Sequence, residues 1–353
     1  MSASAPPLTL AAPEPWHQHL RFEWLAPLLA VAFLGKNPTS EPDYGAYMAI
    51  YAANTLRTLF AASDVEWGFR ALCALGNVFG LSYAAFGYFV VTGTVAAKFY
   101  AFRRLLGSAS SLAVLFYLSS LFILHELVQI RLAVALAFVA LAAVQWMARR
   151  RVLALLFVAA AVSMHLSLVL LVVALGLGRY PRVVLAGAIG LATLGLMPEE
   201  NRTAMIAAVV QFLGTRTPLF QKVAEYAFQL GQVPPGSVLV SAQTLVVAGT
   251  AAGVAVAHRV AADDDRRTAM AGAISVLLVS GLIARVVLAS SPVVSGRLLE
   301  LFATVMPAGQ ALTVVWISRR WPGAGMPIVA GFLTLNLWAF AHVLVPLRDF
   351  LWP

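Results

Sequence analysis

The chain is a series of long apolar blocks, among them Val152 to Leu177 and Val238 to Ala257, separated by short basic clusters such as Arg149-Arg150-Arg151. An apolar run of about 18 residues or more can cross the hydrocarbon of a bilayer as a helix, and a soluble core has no use for several of them. Of the 353 residues, 61% are hydrophobic and 11% charged, and the mean hydropathy is +0.85. Soluble domains hold roughly 45–50% apolar and about 25% charged residues, because their surfaces need the charge. A soluble enzyme of any class is thereby excluded. The chain reads as all-α, a polytopic transmembrane helical bundle.

Apolar runs and basic boundaries place segments near 22–36, 71–96, 105–124, 132–148, 152–178, 183–197, 238–257, 269–289, 298–317 and 326–345, about 10–11 spans when the interrupted block at 152–178 is read as two short helices. That block has Ser163-Met164-His165-Leu166-Ser167 at its centre and is followed by Arg179 and Arg182. A hairpin of two short helices turning near His165 returns those arginines to the cytoplasm and carries His165 toward the outer side.

The net charge of +9 comes from Lys and Arg clustered between apolar blocks, which is the pattern of membrane topology; no nucleic-acid partner is expected. Lys98, Arg103, Arg104 and Arg149–Arg151 are expected to stay cytoplasmic. Residues 36–70 and 198–237 then form outer loops. Residues 1–21, an Ala/Pro-rich stretch without a charged n-region, read as a disordered cytoplasmic tail, and 22–353 as a single transmembrane domain. Cys73 is the single cysteine, which excludes an internal disulfide and a cysteine metal site. No GK[ST] phosphate loop, HExxH or nucleophile elbow is present, so ATP-driven transport and the common hydrolases lack their residues.

Ionisable groups near membrane spans are expensive, at least ~2.5 kcal/mol each on insertion scales, and so need a reason. Asp43-Tyr44-Gly45-Ala46-Tyr47-Met48-Ala49-Ile50-Tyr51 puts an acid and three tyrosines at helical spacing, as an interfacial aromatic helix or as part of a site. Asp64-Val65-Glu66-Trp67-Gly68-Phe69-Arg70 adds carboxylates beside an aromatic ring, a pairing that suits sugars and ordinary interface anchors alike. In His125-Glu126-Leu127-Val128-Gln129-Ile130-Arg131, Arg131 opens a span. It reads either as a snorkelling side chain paired with Glu126 or as a phosphate fork. Arg285 lies inside a span and Arg297 in the next polar turn, while Lys222 and Tyr226 lie in the long loop with Arg216. Several cations thus gather on the outer face, where they suit a phosphorylated ligand. No metal or cofactor is expected.

The order of Asp43-Tyr44-x-x-Tyr47, Glu66-x-Gly68-Phe69, Gln129-Ile130-Arg131, Met164-His165-Leu166-Ser167 and Arg297-Leu298-Leu299-Glu300 resembles the EpsG/Wzy-like family of bacterial polysaccharide polymerases. The resemblance implies a GT-C-like membrane glycosyltransferase of the bacterial inner membrane. Such an enzyme joins undecaprenyl-diphosphate-linked oligosaccharide repeat units on the periplasmic side, with lipid-linked donor and acceptor and no nucleotide sugar. Its expected partners are membrane lipids, a flippase and a chain-length regulator.

Departure of the lipid diphosphate builds negative charge that fixed cations must meet. Arg131 is the first candidate, with Arg285 and Arg297 in support. His165 or Asp43 would take the acceptor hydroxyl's proton, and Glu66, Tyr44, Tyr47 and Trp67 would hold sugars, with Gln129, Lys222 and Tyr226 as further binding candidates. An O-antigen ligase uses the same donor but is expected to carry its Arg and His in one larger outer loop. A lipid-linked-oligosaccharide flippase should show two similar halves, and no internal repeat is visible.

Overall fold

The computed structural model describes residues 22–35, 42–61, 65–177, 241–260, 265–288 and 292–344, with the single positions 63, 201, 204 and 208. The expected tail 1–21, most of the loop 198–237, Lys222 and Tyr226 lie outside the described residues. Those described are helical and form no strand. The helices are α1 (Ala26–Leu34), α2 (Pro42–Ala53), α3 (Trp67–Val78), α4 (Tyr83–Leu106), α5 (Ser110–Ser120), α6 (Ile130–Met147), α7 (Arg151–Met164), α8 (Leu168–Leu177), α9 (Ala242–Val260), α10 (Asp265–Val287), α11 (Pro292–Ala303), α12 (Met306–Arg320) and α13 (Gly325–Leu344). A π-helical stretch, Ile123–Val128, joins α5 to α6.

Helix breaks divide the chain more finely than its apolar runs do. The expected span 71–96 is two helices. Gly80 takes φ +64, outside the range that ordinary residues favour, and Ser82 caps α4 by accepting a hydrogen bond from Ala85 N. The chain reverses again at Gly107, φ +56 and ψ −118. Lys98 Nζ on α4 lies 3.2 Å from Tyr117 Oη on α5, and Phe99 and Phe102 both meet the Tyr117 ring edge-on. Residues 19 apart on one straight helix would stand ~28 Å apart, so α5 doubles back along α4.

Tyr83–Ser120, Ile130–Met147 and Pro322–Ala341 are each long and apolar enough to cross a bilayer, and the first of these stretches contains the reversal at Gly107. Ser295–Ala303 and Met306–Arg320, bent by 47°, make a fourth together. Phe22–Leu34, Arg151–Met164, Ala242–His258 and Met270–Val286 are shorter apolar helices. The outer surface is apolar, with Trp24, Phe60, Phe79, Val152 and Met326 standing exposed, as suits a protein whose solvent is lipid.

Three apolar cores hold the bundle. One joins α1–α5 to the start of α6, around Phe33, Tyr51, Phe86 and Phe99. Another joins α5 to α9–α13, around Phe116, Leu278, Leu312 and Trp316. Between them Leu132 and Ala135 of α6, Ala161 of α7 and Leu168 and Leu171 of α8 meet Leu277, Leu301 and Phe302. The break expected within 152–178 falls at His165, whose backbone is extended (φ −155, ψ 107). Beyond it α8 packs on α10 and α11 instead of lying along α7.

The segment expected as an outer loop at 36–70 is tied to the bundle. Buried Arg70 donates from Nε to Asn54 Oδ1 at 2.7 Å, from Nη1 to Ala61 O at 2.7 Å, and from Nη2 to Thr58 O. Asn77 Nδ2 donates to the carbonyls of Tyr51 and Asn54, satisfying the end of α2.

Candidate active site

Three helix interruptions meet at one place. Glu66 precedes α3, Arg131 follows the π-helical stretch, and His165 sits at the break after α7. Arg131 Nη1 donates to Glu66 Oε2 at 2.8 Å, His165 Nδ1 lies 3.3 Å from Glu66 Oε1, and Leu166 N donates to the same oxygen at 3.4 Å. The Arg131 guanidinium also lies over the Tyr47 ring, 5.6 Å from its centroid. Residues far apart in sequence are thus gathered around one carboxylate.

Gly68 makes this approach possible. A Cβ there would stand 2.3 Å from Ser163 Oγ and 2.7 Å from the Ser163 carbonyl oxygen. Only a glycine lets the first turn of α3 lie against the end of α7, which brings Glu66 within reach of His165 and Leu166. The Glu66-x-Gly68 and Ser163-x-His165 patterns are two sides of one contact.

Burial acts to raise the Glu66 carboxyl, but the hydrogen bond from His165 and the charge of Arg131 outweigh it and hold Glu66 at about 2. It is therefore a permanent anion and a poor base. Burial raises the Tyr47 hydroxyl, opposed by Arg131 and Arg297 and reinforced by Asp43. Arg131 Nε is buried and has no hydrogen-bond partner among the described residues, while the side chain as a whole is 26% exposed, so part of the guanidinium stays open beyond its bond to Glu66.

A second polar group adjoins the first through Gln129, whose Nε2 donates to Glu300 Oε2 at 3.1 Å. Arg297 Nη1 reaches the same oxygen at 3.5 Å from a largely exposed position. Arg285 is buried and donates to Ser295 Oγ at 3.1 Å and Ser241 Oγ at 3.4 Å. Gly296 leaves it room, since a Cβ there would sit 3.3 Å from Arg285 Nη1.

Two expected roles are overturned. Lys98 is not a solvated topology marker. It is buried and forms an ion pair with Glu126, whose carboxylate also accepts from Thr94 and Tyr117. Nor is Glu126 the partner of Arg131, because all its contacts are with α4 and α5. Those contacts put Glu126, just before α6, against the middle of α4, so α6 begins deep in the bundle. Glu300 was visible in the sequence only as a motif member, yet it unites Gln129 and Arg297. Its position 171 residues from Gln129 left no local signal.

The other candidates are more dispersed. Asp43 lies one turn before Tyr47 and makes no ion pair among the described residues. Tyr44 packs edge-on against Tyr83 at 5.0 Å. Trp67, the first residue of α3, is more than half exposed. No group of three or more His, Cys, Asp or Glu among the described residues could hold a metal ion.

A model of the EpsG family matches residues 24–342, nearly the whole chain, and spans every element of the site. The chain belongs to the EpsG family. This is a Wzy-like polysaccharide polymerase family, which gives the protein a polysaccharide-polymerase-like role in a membrane. No curated protein and no solved structure matches it. In this EpsG-family chain the matched region starts before α1 and ends within α13, so both the Glu66 cluster and the Glu300 cluster fall inside it.

Proposed function

We propose that the protein is a glycosyltransferase of the bacterial inner membrane, joining oligosaccharide repeat units carried on undecaprenyl diphosphate at the periplasmic side. The observation that carries this reading is the Glu66 carboxylate bridging Arg131 and His165. The hydroxyl oxygen of the acceptor sugar attacks the anomeric carbon of the donor. The bond from that carbon to the diphosphate oxygen breaks, and the diphosphate leaves with the bonding electrons. Arg131, with donors to spare beyond Glu66, meets the growing negative charge, and the exposed Arg297 lies near enough to add to it.

The acceptor hydroxyl loses its proton to His165. With Nδ1–H donated to Glu66, the ring's lone pair is on Nε2, as in an acid–histidine dyad. Glu66 acts through its neighbours as a positioning residue, because a carboxyl held at about 2 does not accept a proton at neutral pH. Tyr47 stacks under Arg131 and orients it, and Trp67 offers an exposed ring face to a sugar. GT-C-like architecture, a single transmembrane domain over 22–353, and pairing with a flippase and a chain-length regulator belong to the same reading.

The test is replacement of Arg131 or His165 by alanine in cells deleted for their own copy of the gene. Both variants are expected to reach the membrane at normal levels and to leave single repeat units in place of polymer. Full-length polymer from both would overturn the mechanism.

A further inference from the structure

A groove of about 370 Å³ runs between α3, α4 and α6, within the size range of small-molecule sites. Its walls include Leu75, Phe86, Phe89, Val134, Phe138 and Leu141. Its one polar lining residue, Thr94, gives its hydroxyl to the Glu126 carboxylate and to the Val91 carbonyl, so the groove is apolar throughout. Leu75 and Phe89 are more than half exposed at its rim, so it opens outward, where a membrane protein meets lipid.

The α6 wall of the groove begins one helical turn from Arg131. Val134 and Phe138 follow Arg131 by three and seven residues on α6, which places all three on one face of that helix. Glu66, which binds Arg131, immediately precedes α3, whose later residues form another wall. A partly exposed cation therefore stands one helical turn beyond an apolar groove. That combination is complementary to an amphiphile with an anionic head and a long hydrocarbon tail.

We infer that this groove seats the polyprenyl chain of the lipid-linked diphosphate whose head Arg131 holds; the inference rests on the polymerase reading above. The chain's first isoprene units lie against Val134 and Phe138, and the remainder leaves past Phe89 into the bilayer. Gly93 is the specificity position. It is helical, lines the groove, and a Cβ built on it meets nothing within 4 Å. A side chain at 93 therefore leaves the helix into open space at the groove, where a large one is expected to occupy it.

The experiment uses the full chain in native membranes and a C55 polyprenyl diphosphate carrying a photoreactive diazirine on its third isoprene unit. In the natural protein the cross-link is expected within 86–97 or 134–141. Gly93→Trp is expected to lower labelling and polymer formation at least 10-fold, while Gly331→Trp, on α13 outside the groove where a built Cβ also meets nothing within 4 Å, keeps both. Unchanged polymer from Gly93→Trp, or a cross-link mapping elsewhere, overturns the proposal. So does equal competition by excess phosphatidylglycerol, which would make the groove a seat for ordinary bilayer acyl chains. If Gly93→Trp is active while Arg131→Ala is not, the groove assignment fails and the polymerase reading stands; full-length polymer from both Arg131→Ala and His165→Ala sinks the latter.

Discussion

Gly68→Ala is the sharpest single perturbation of the proposed site, because it touches none of the groups assigned to chemistry. The added methyl would lie 2.7 Å and 2.8 Å from the carbonyl oxygen and carbon of Ser163, where ordinary contact starts at 3.4 Å. The Ser163 hydroxyl can rotate away; the carbonyl cannot. The first turn of α3 must therefore retreat by about 0.6 Å. Glu66, two residues away, would then see its contacts to His165 Nδ1 and Leu166 N lengthen from 3.3 Å and 3.4 Å toward ~4 Å, beyond hydrogen-bond reach. Misplacement by ~1 Å can cost a catalytic geometry about 10²-fold, so a loss of about 10- to 100-fold in polymer is expected. The assay is polymer length and yield on gels, with membrane insertion checked by protease protection. Ser163→Ala alone should be close to normal, and adding it to Gly68→Ala should not restore activity, since the carbonyl remains. Normal polymer from Gly68→Ala would refute the claim that this close approach sets the site.

Two further outcomes follow from the same contacts. Because Glu66 is held below its ordinary value, its ionised form stabilises the cluster fully above the normal carboxylate range and loses that effect only as pH falls toward 2; Glu66→Gln should lower polymerisation throughout about pH 5 to 9, and a variant as active as the natural protein anywhere in that range would contradict the positioning role given to Glu66. Lys98→Met strands a buried carboxylate and should cost about 3–5 kcal/mol of stability, read as a lower melting temperature in detergent. The double replacement with Glu126→Leu should recover most of it, and a double variant as unstable as the single one would contradict the pairing.

The sequence was most informative where chemistry is carried by short motifs in order. Glu66, Arg131 and His165 were each visible as polar residues set against apolar runs, but their meeting around one carboxylate was not, since it depends on separations of 65 and 99 residues. Gly68 looked like part of a motif; its function is a steric one that only the facing Ser163 reveals. Lys98 was misread because a lysine between apolar blocks looks the same whether it snorkels to water or pairs inside. The divided span at 71–96 had its signals in plain view, a glycine at 80 and a capping serine at 82, overridden by the length of the apolar run. Arg70 carries no periodic signal, and its three acceptors lie on a connection with no regular pattern.

The three interruptions that meet at Glu66, Arg131 and His165 also set where the bundle's interior is polar. Helix ends leave backbone amides and carbonyls without intrahelical partners, and hydrocarbon does not tolerate such groups unless they line a hydrated cavity or are buried in protein. Gathering three breaks around the Glu66 carboxylate therefore concentrates polar backbone at one spot of an otherwise oily bundle, where Leu166 N already finds that carboxylate. Under the proposed reaction, a hydrophilic sugar would find hydrogen-bonding partners there while an oily carrier stays in the bilayer beside it. The polarity of the site is set by where helices stop, and a substitution that mended one of the breaks would withdraw those backbone groups before it altered any side chain there.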